Sequence, residues 1–188
     1  MPEAARAHVP IHTPIGEVDA DARAVIDRAM DTARERLDMT ISWVAEFTEE
    51  RKHFRAVGGD RDEWDLHDGD SWPISESYCL RMVEGVLPNA IPDTADEPRV
   101  ARLDVTQEKR IGSYIGVPLV LPDGKLCGAF CCADHEARPL DDRDVRFLQV
   151  LARLVADEIA LQAMARARAQ LLAQQAAGAA LASALGAR

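Results

Sequence analysis

The chain has 188 residues and a formal net charge of −10, with an isoelectric point near 4.9. That length suits one domain with tails and a sizeable core. The acidic balance argues against sequence-independent binding to nucleic acid or to anionic membranes, because both need a basic footprint. Met1 to Pro14 carries three prolines and no apolar core of a signal peptide. No apolar run approaches the roughly 20 residues that span a bilayer. Four cysteines without a secretory context point to reduced thiols and a cytoplasmic location.

Residues 1–18 read as a flexible arm with Pro2, Pro10 and Pro14. Asp19 to Leu37 reads as an amphipathic helix, since Ala22, Val25, Ile26, Ala29, Met30 and Ala33 recur at helical spacing. Met39 to Phe47 reads as a strand with Ile41, Trp43, Ala45 and Phe47 on one face and Thr40, Ser42, Val44 and Glu46 on the other. A charged turn leads to a shorter strand, His53 to Val57, and then to an acidic loop, Gly58 to Asp70. Ser75 to Glu84 reads as a short helix that Gly85 ends, and Ala90 to Asp93 as a very short strand that Pro92 confines to an edge or a strand end. Pro98 to Arg110 reads as a short charged surface helix.

The most informative stretch is residues 111–134, where two uncharged apolar runs flank the turn Pro122-Asp123-Gly124-Lys125. Asp-Gly between apolar runs signals a hairpin, because glycine tolerates the positive φ of a tight turn. Neither run alternates apolar with polar, so both faces of the hairpin need cover and it belongs in the middle of a three-layer fold. Asp141 or Asp142 then caps a long helix with one apolar stripe at Val145, Leu148, Leu151, Val155 and Ile159 and a second at Phe147, Val150 and Leu154. From Ala163 onward, 12 of 26 residues are alanine, which favours helix and offers little to bury. Residues 166–188 are therefore expected to be either a helical extension that pairs with a partner helix or a disordered tail.

The element order, with Tyr78-Cys-Leu-Arg-Met-Val-Glu-Gly85, Ala90-Ile-Pro-Asp93, Ile115-Gly-Val-Pro-Leu119, Leu126-Cys-Gly-Ala-Phe130 and the closing Leu140 to Leu148 segment, resembles a GAF domain, a small-molecule sensor fold, over about residues 19–165. The resemblance implies an α/β (α+β) fold: a central antiparallel sheet of five or six strands, the terminal helices packed together on one face, often as a dimer, and short helices plus loops enclosing a pocket on the other. It implies a sensory or regulatory module that signals through a helical homodimer. Two alternatives stay beside it: a thiol-dependent reductase of the free methionine-R-sulfoxide reductase type, and a dimerisation scaffold without ligand. The Asn-Lys-Phe-Asp-Glu signature of cyclic-nucleotide-binding relatives is not recognisable, so cyclic AMP and cyclic GMP are not expected to bind. Cys79 has no adjacent histidine of the kind bilin-binding relatives need.

Residue chemistry favours binding over catalysis. Cys131 and Cys132 are adjacent on a strand and point to opposite faces. Cys127 and Cys131 are expected on one face but separated by about 13 Å, so no pair among these three chelates zinc from a regular strand. Packing is the favoured role, with a redox role reserved for a thiol at the pocket, Cys79 or Cys131. His53, His67 and His135 are isolated, the serines lack a nucleophile elbow, and the acidic loop lacks the calcium-site pattern. No cofactor and no metal are expected. Trp64 and Trp72 are read as loop anchors first and as groups closing over a ligand second.

The family architecture puts the ligand against the sheet face opposite the terminal helices. Strand alternation then nominates Trp43 (with Ala45), Ile115, Val117, Cys131 and Ala133. The short helix offers Tyr78, Cys79 and Met82 on one side, and Asp93 is a further polar handle. These form a mainly apolar cavity without Arg or Lys, suited to a small apolar or partly aromatic ligand.

Overall fold

The computed structural model describes residues 15 and 18–186, residue 76 and the last six of them by backbone alone. The expected N-terminal arm lies outside the described residues apart from Ile15 and Val18. Ile15 packs against the core beside the terminal helices.

Helix α1 (Ala20–Leu37) opens where the Asp19 side chain accepts a hydrogen bond from the Ala22 amide at 3.0 Å, and it closes at Asp38 in the left-handed region, φ 54°. Ala22, Ile26, Ala29, Met30, Ala33 and Leu37 form its buried stripe. Strands β1 (Ile41–Phe47) and β2 (Arg51–Gly59) follow as a hairpin. The stretch expected to be an acidic loop contains a one-turn helix, α2 (Arg61–Trp64), and leads into a short edge strand, β3 (Ser71–Pro73). Next come α3 (Tyr78–Val83), β4 (Ala90–Ile91) and α4 (Asp104–Glu108). The expected Pro98–Arg110 helix shrinks to α4 because Leu103 is extended and caps it with no side-chain bond. The hairpin is β5 (Ser113–Val120) and β6 (Leu126–Asp134), and α5 (Asp142–Gly186) closes the chain with 45 residues. The Asp141 carboxylate accepts from the Arg143 and Asp144 amides at the start of α5.

The sheet has six antiparallel strands in the order β3-β2-β1-β6-β5-β4. Strands β1, β6 and β5 are covered on both sides, as their lack of alternation requires. On one side α1 and α5 pack over Val44, Ala56, Ile115, Val117, Leu119, Phe130 and Cys132. On the other, α2, α3 and the connecting segments pack over Ile41, Trp43, Ala45, Phe47, Phe54, Val57, Tyr114, Cys131 and Ala133. One sheet thus separates two cores, and cross-strand neighbours share a core.

Two bulges reset this parity. Between β1 and β2 the register steps from Val44–Ala56 to Ala45–Phe54, leaving Arg55 unpaired; its Nε reaches the buried Glu46 carboxylate at 2.7 Å. Between β5 and β6 it steps from Leu119–Gly128 to Val120–Leu126, leaving Cys127 unpaired. Cys127 therefore turns to the helix side and donates to the Leu119 carbonyl, while Cys131 stays on the other face. The expectation that these two cysteines share a face is corrected by that bulge.

Gly128 sits opposite Glu46 in the β1–β6 ladder, and a Cβ there collides with the Ala45 carbonyl oxygen. Backbone on two central strands must move to admit it, so Gly128→Ala is expected to destabilise the protein by about 3 kcal/mol. Urea denaturation followed by circular dichroism checks this.

Candidate functional site

The face opposite the terminal helices holds a cavity of about 30 Å³. Its floor is sheet: Trp43 from β1, Lys52 and Phe54 from β2, and Tyr114 from β5. Tyr78 and Cys79 from α3 form one wall. Trp64, Leu66 and Trp72, with Val105, Lys109 and Ile111, complete the enclosure. The aromatic rings interlock: Trp43 meets Phe54 edge-on at 6.0 Å, Phe54 meets Trp72 at 4.8 Å, and Tyr78 meets Tyr114 at 5.1 Å between centroids. Such edge-to-face contacts hold the rings in fixed mutual orientation.

Lys52 is only 4% exposed. Its ammonium lies 5.6 Å from the Trp43 ring, 4.6 Å from Phe54 and 4.9 Å from Trp72. Among the described residues it has no ion-pair partner, and Trp43 Nε1 is buried without a hydrogen-bond partner. Lys109 differs: its ammonium donates to the Trp64 and Asp65 carbonyls at 3.1 and 3.0 Å and stands 5.4 Å from the Trp72 ring. It latches α4 to the segment after α2.

Beneath the cavity two thiols meet. Cys79 Sγ lies 3.2 Å from Cys131 Sγ. The Tyr114 hydroxyl is 3.4 Å from Cys79 Sγ, to which it donates, and 3.1 Å from Cys131 Sγ. Gly116 makes room for that hydroxyl, since a side chain there would strike it. Burial raises the Cys79 pKa, but the Cys131 thiol, the Lys52 ammonium and the Tyr114 hydroxyl together outweigh burial and draw it well below the ordinary thiol range. Cys131 moves the other way, through burial and then through its neighbour. The two thiols titrate as a coupled pair, with the first proton lost more readily than the second. Burial pushes Cys127 and Cys132, both on the helix side, up to about 12. Burial also raises Tyr78 to about 12; it hydrogen-bonds Thr106, whose hydroxyl donates onward to the Val100 carbonyl at 2.6 Å.

Of the residues nominated from sequence, Trp43, Tyr78 and Cys79 line this cavity. Cys131 lies directly behind Cys79, and Met82 and Ala133 belong to the same core without reaching the cavity wall. Ile115 and Val117 are on the opposite side, under the terminal helices. The register explains the correction: Trp43 pairs with Cys131 and Cys131 with Gly116, so Gly116 and Tyr114 face the cavity and their odd-numbered neighbours face away. Asp93 is also displaced from the site, since its carboxylate accepts from the Ala95 amide at 2.8 Å and starts a short turn. The expectation of a cavity without Arg or Lys is corrected by Lys52 and Lys109. Lys52 was findable: once β2 is begun at Arg51, Lys52 and Phe54 are two apart and share a face. Among the described residues no group of three His, Cys, Asp or Glu is arranged to hold a metal, and no helix is long and apolar enough to cross a membrane.

The GAF domain family model matches residues 19–160. The chain belongs to the GAF domain family. A 111-residue stretch is 35% identical to diguanylate cyclase DgcP of Escherichia coli (strain K12), covering 55% of this chain and 30% of that protein. The fold is similar to that of the PixJ GAF domain of Thermosynechococcus elongatus in its blue-light absorbing form, with TM-score 0.63 and 17% identity over 80% of this chain and 92% of that one. The GAF domain of an Acinetobacter phosphoenolpyruvate-protein phosphotransferase is likewise similar, with TM-score 0.59 and 16% identity over 78% of this chain and 86% of the other. At such identities the likeness to the solved structures concerns fold alone.

In this GAF domain Tyr114 holds both sulfurs. Tyr114→Phe removes the hydroxyl donor that favours the Cys79 thiolate, so the thiolate fraction at neutral pH falls and its titration moves to higher pH. Ultraviolet thiolate absorbance against pH checks this, with Cys79→Ser as the baseline.

Proposed function

We propose that this GAF domain is a sensory module whose pocket takes a small organic anion, a carboxylate on a flat apolar body. The observation that carries this reading is Lys52: a side chain only 4% exposed, its ammonium flanked by Trp43, Phe54 and Trp72 and without an ion-pair partner among the described residues. Cation–π contacts are worth about 0.5–2 kcal/mol each, whereas burying an ammonium costs several kcal/mol. An incoming carboxylate repays that difference, and the Trp43 N–H offers a second donor. The rings supply the apolar contact. A cavity of about 30 Å³ accommodates only a water or two, so an organic ligand displaces Trp72. That residue stands on the three-residue edge strand β3, which pairs only with β2.

The signal would leave through α5. Beyond its core-facing stripe, Phe147, Val150, Leu154, Leu161, Met164 and Leu171 fall on the a and d positions of one heptad register. Leu161 and Met164 are 61% and 65% exposed. Asp157 and Arg168 occupy the same seam. In an antiparallel pair of α5 helices Asp157 faces Arg168, Leu161 faces Met164 and Leu154 faces Leu171. A parallel pair sets like charges against each other. We take the module as a homodimer through an antiparallel α5 seam, and a ligand that shifts the pocket cover would rebalance that seam.

Calorimetry and thermal shift with small aromatic carboxylates and their neutral amides test the pocket. Carboxylates are expected to bind and to raise Tm, the amides are not, and Lys52→Met should weaken carboxylate binding at least about tenfold, equivalent to about 1.4 kcal/mol. Equal binding of acid and amide overturns the anion reading. Light scattering tests the seam: wild type should be dimeric at high micromolar concentration, Asp157→Arg or Arg168→Asp alone should weaken the dimer, and the double exchange should restore it.

A further inference from the structure

We propose that Cys79 and Cys131 form a dithiol site that reacts with hydrogen peroxide and closes to an internal, reversible disulfide. This inference stands apart from the anion reading, because it rests on the sulfurs and not on any ligand at Lys52. Four observations converge. The two sulfurs are 3.2 Å apart, already closer than ordinary sulfur contact, and come from different elements, α3 and β6. Only Cys79 lines the cavity, while Cys131 lies behind it. The Tyr114 hydroxyl and the Lys52 ammonium both favour negative charge on Cys79. The cavity, about 30 Å³, has room for a molecule of one or two water volumes and excludes bulky oxidants.

The roles follow from position. Cys79 is the attacking group, because it is the cysteine that lines the cavity while Cys131 lies behind it. Its thiolate attacks one peroxide oxygen; an S–O bond forms, the O–O bond breaks, and the departing hydroxide takes a proton to become water. Cys131 sulfur then attacks the Cys79 sulfenic sulfur. The S–S bond forms, the S–O bond breaks, and the released hydroxide combines with the Cys131 thiol proton as a second water. Two thiols are oxidised by two electrons in all, and the peroxide is reduced. Cys127 and Cys132 take no part, since they lie across the sheet with thiols held protonated by burial. Because Cys79 rides on the cover and Cys131 on the central sheet, oxidation ties the cover down over the cavity.

The test uses the full chain, reduced with dithiothreitol, desalted and exposed to micromolar hydrogen peroxide. Thiol titration and peptide mapping should show two of the four cysteines lost together, a single Cys79–Cys131 cross-link, and full recovery with dithiothreitol. In Cys131→Ser the reaction should stop at the sulfenic acid, captured by dimedone on Cys79. The Cys79 rate should exceed those of Cys127 and Cys132 by at least about tenfold, and cumene hydroperoxide should react at least about tenfold more slowly than hydrogen peroxide. The wild-type map decides the matter even where the variant does not fold. Retention of all four thiols, even labelling across the cysteines, a cross-link elsewhere, or equal rates with the bulky hydroperoxide would overturn the proposal.

Discussion

Everything in this molecule depends on a sheet whose central strands are buried on both faces. β1, β6 and β5 carry almost no exposed side chain, so each residue must serve one of two separate cores. The helix-side core is aliphatic, built from α1, α5 and the small or branched residues beneath them. The other core collects most of the aromatic side chains, the hydroxyls of Tyr78 and Tyr114, the thiols of Cys79 and Cys131, and an ammonium. The aromatic-lined cavity lies on the irregular side. Short helices and one-turn segments cannot fill a concave surface as closely as two full helices can.

Strand parity is the device that sorts the chemistry. Cys131 and Cys132 are neighbours in sequence, yet one joins the Cys79 pair and the other packs beneath the terminal helices. The bulge at Cys127 adds a second thiol to the helix side, and the bulge at Arg55 lets a guanidinium neutralise the buried Glu46. Each bulge inserts one residue and exchanges the facing of the residues beyond it. The result is a division of four cysteines into one pair in contact on the cavity side and two separate packing positions under the helices.

Electrostatics on the cavity side is economical because few charges are present and the surroundings are apolar. A single ammonium acts on three aromatic rings and on the Cys79 thiol. In a low-dielectric setting such an ammonium influences every anion nearby more strongly than it would in water. An anion bound as proposed would therefore compete with a Cys79 thiolate for the charge of Lys52.

The sequence alone determined the family, an antiparallel sheet of five or six strands, the buried hairpin and the amphipathic helices that cover it. Those features are local: a turn dipeptide, uninterrupted apolar runs and helical spacing report burial without reference to distant residues. It also placed Trp43, Tyr78 and Cys79 on the correct side of the sheet, because alternation within one strand and one helix is a local property as well. Tertiary structure alone decided that Ile115 and Val117 face the helices. That depends on the register between strands, where a shift of one residue exchanges the two faces. The contact between Cys79 and Cys131, 52 residues apart, is likewise invisible to periodicity, because it arises only when α3 folds back over β6.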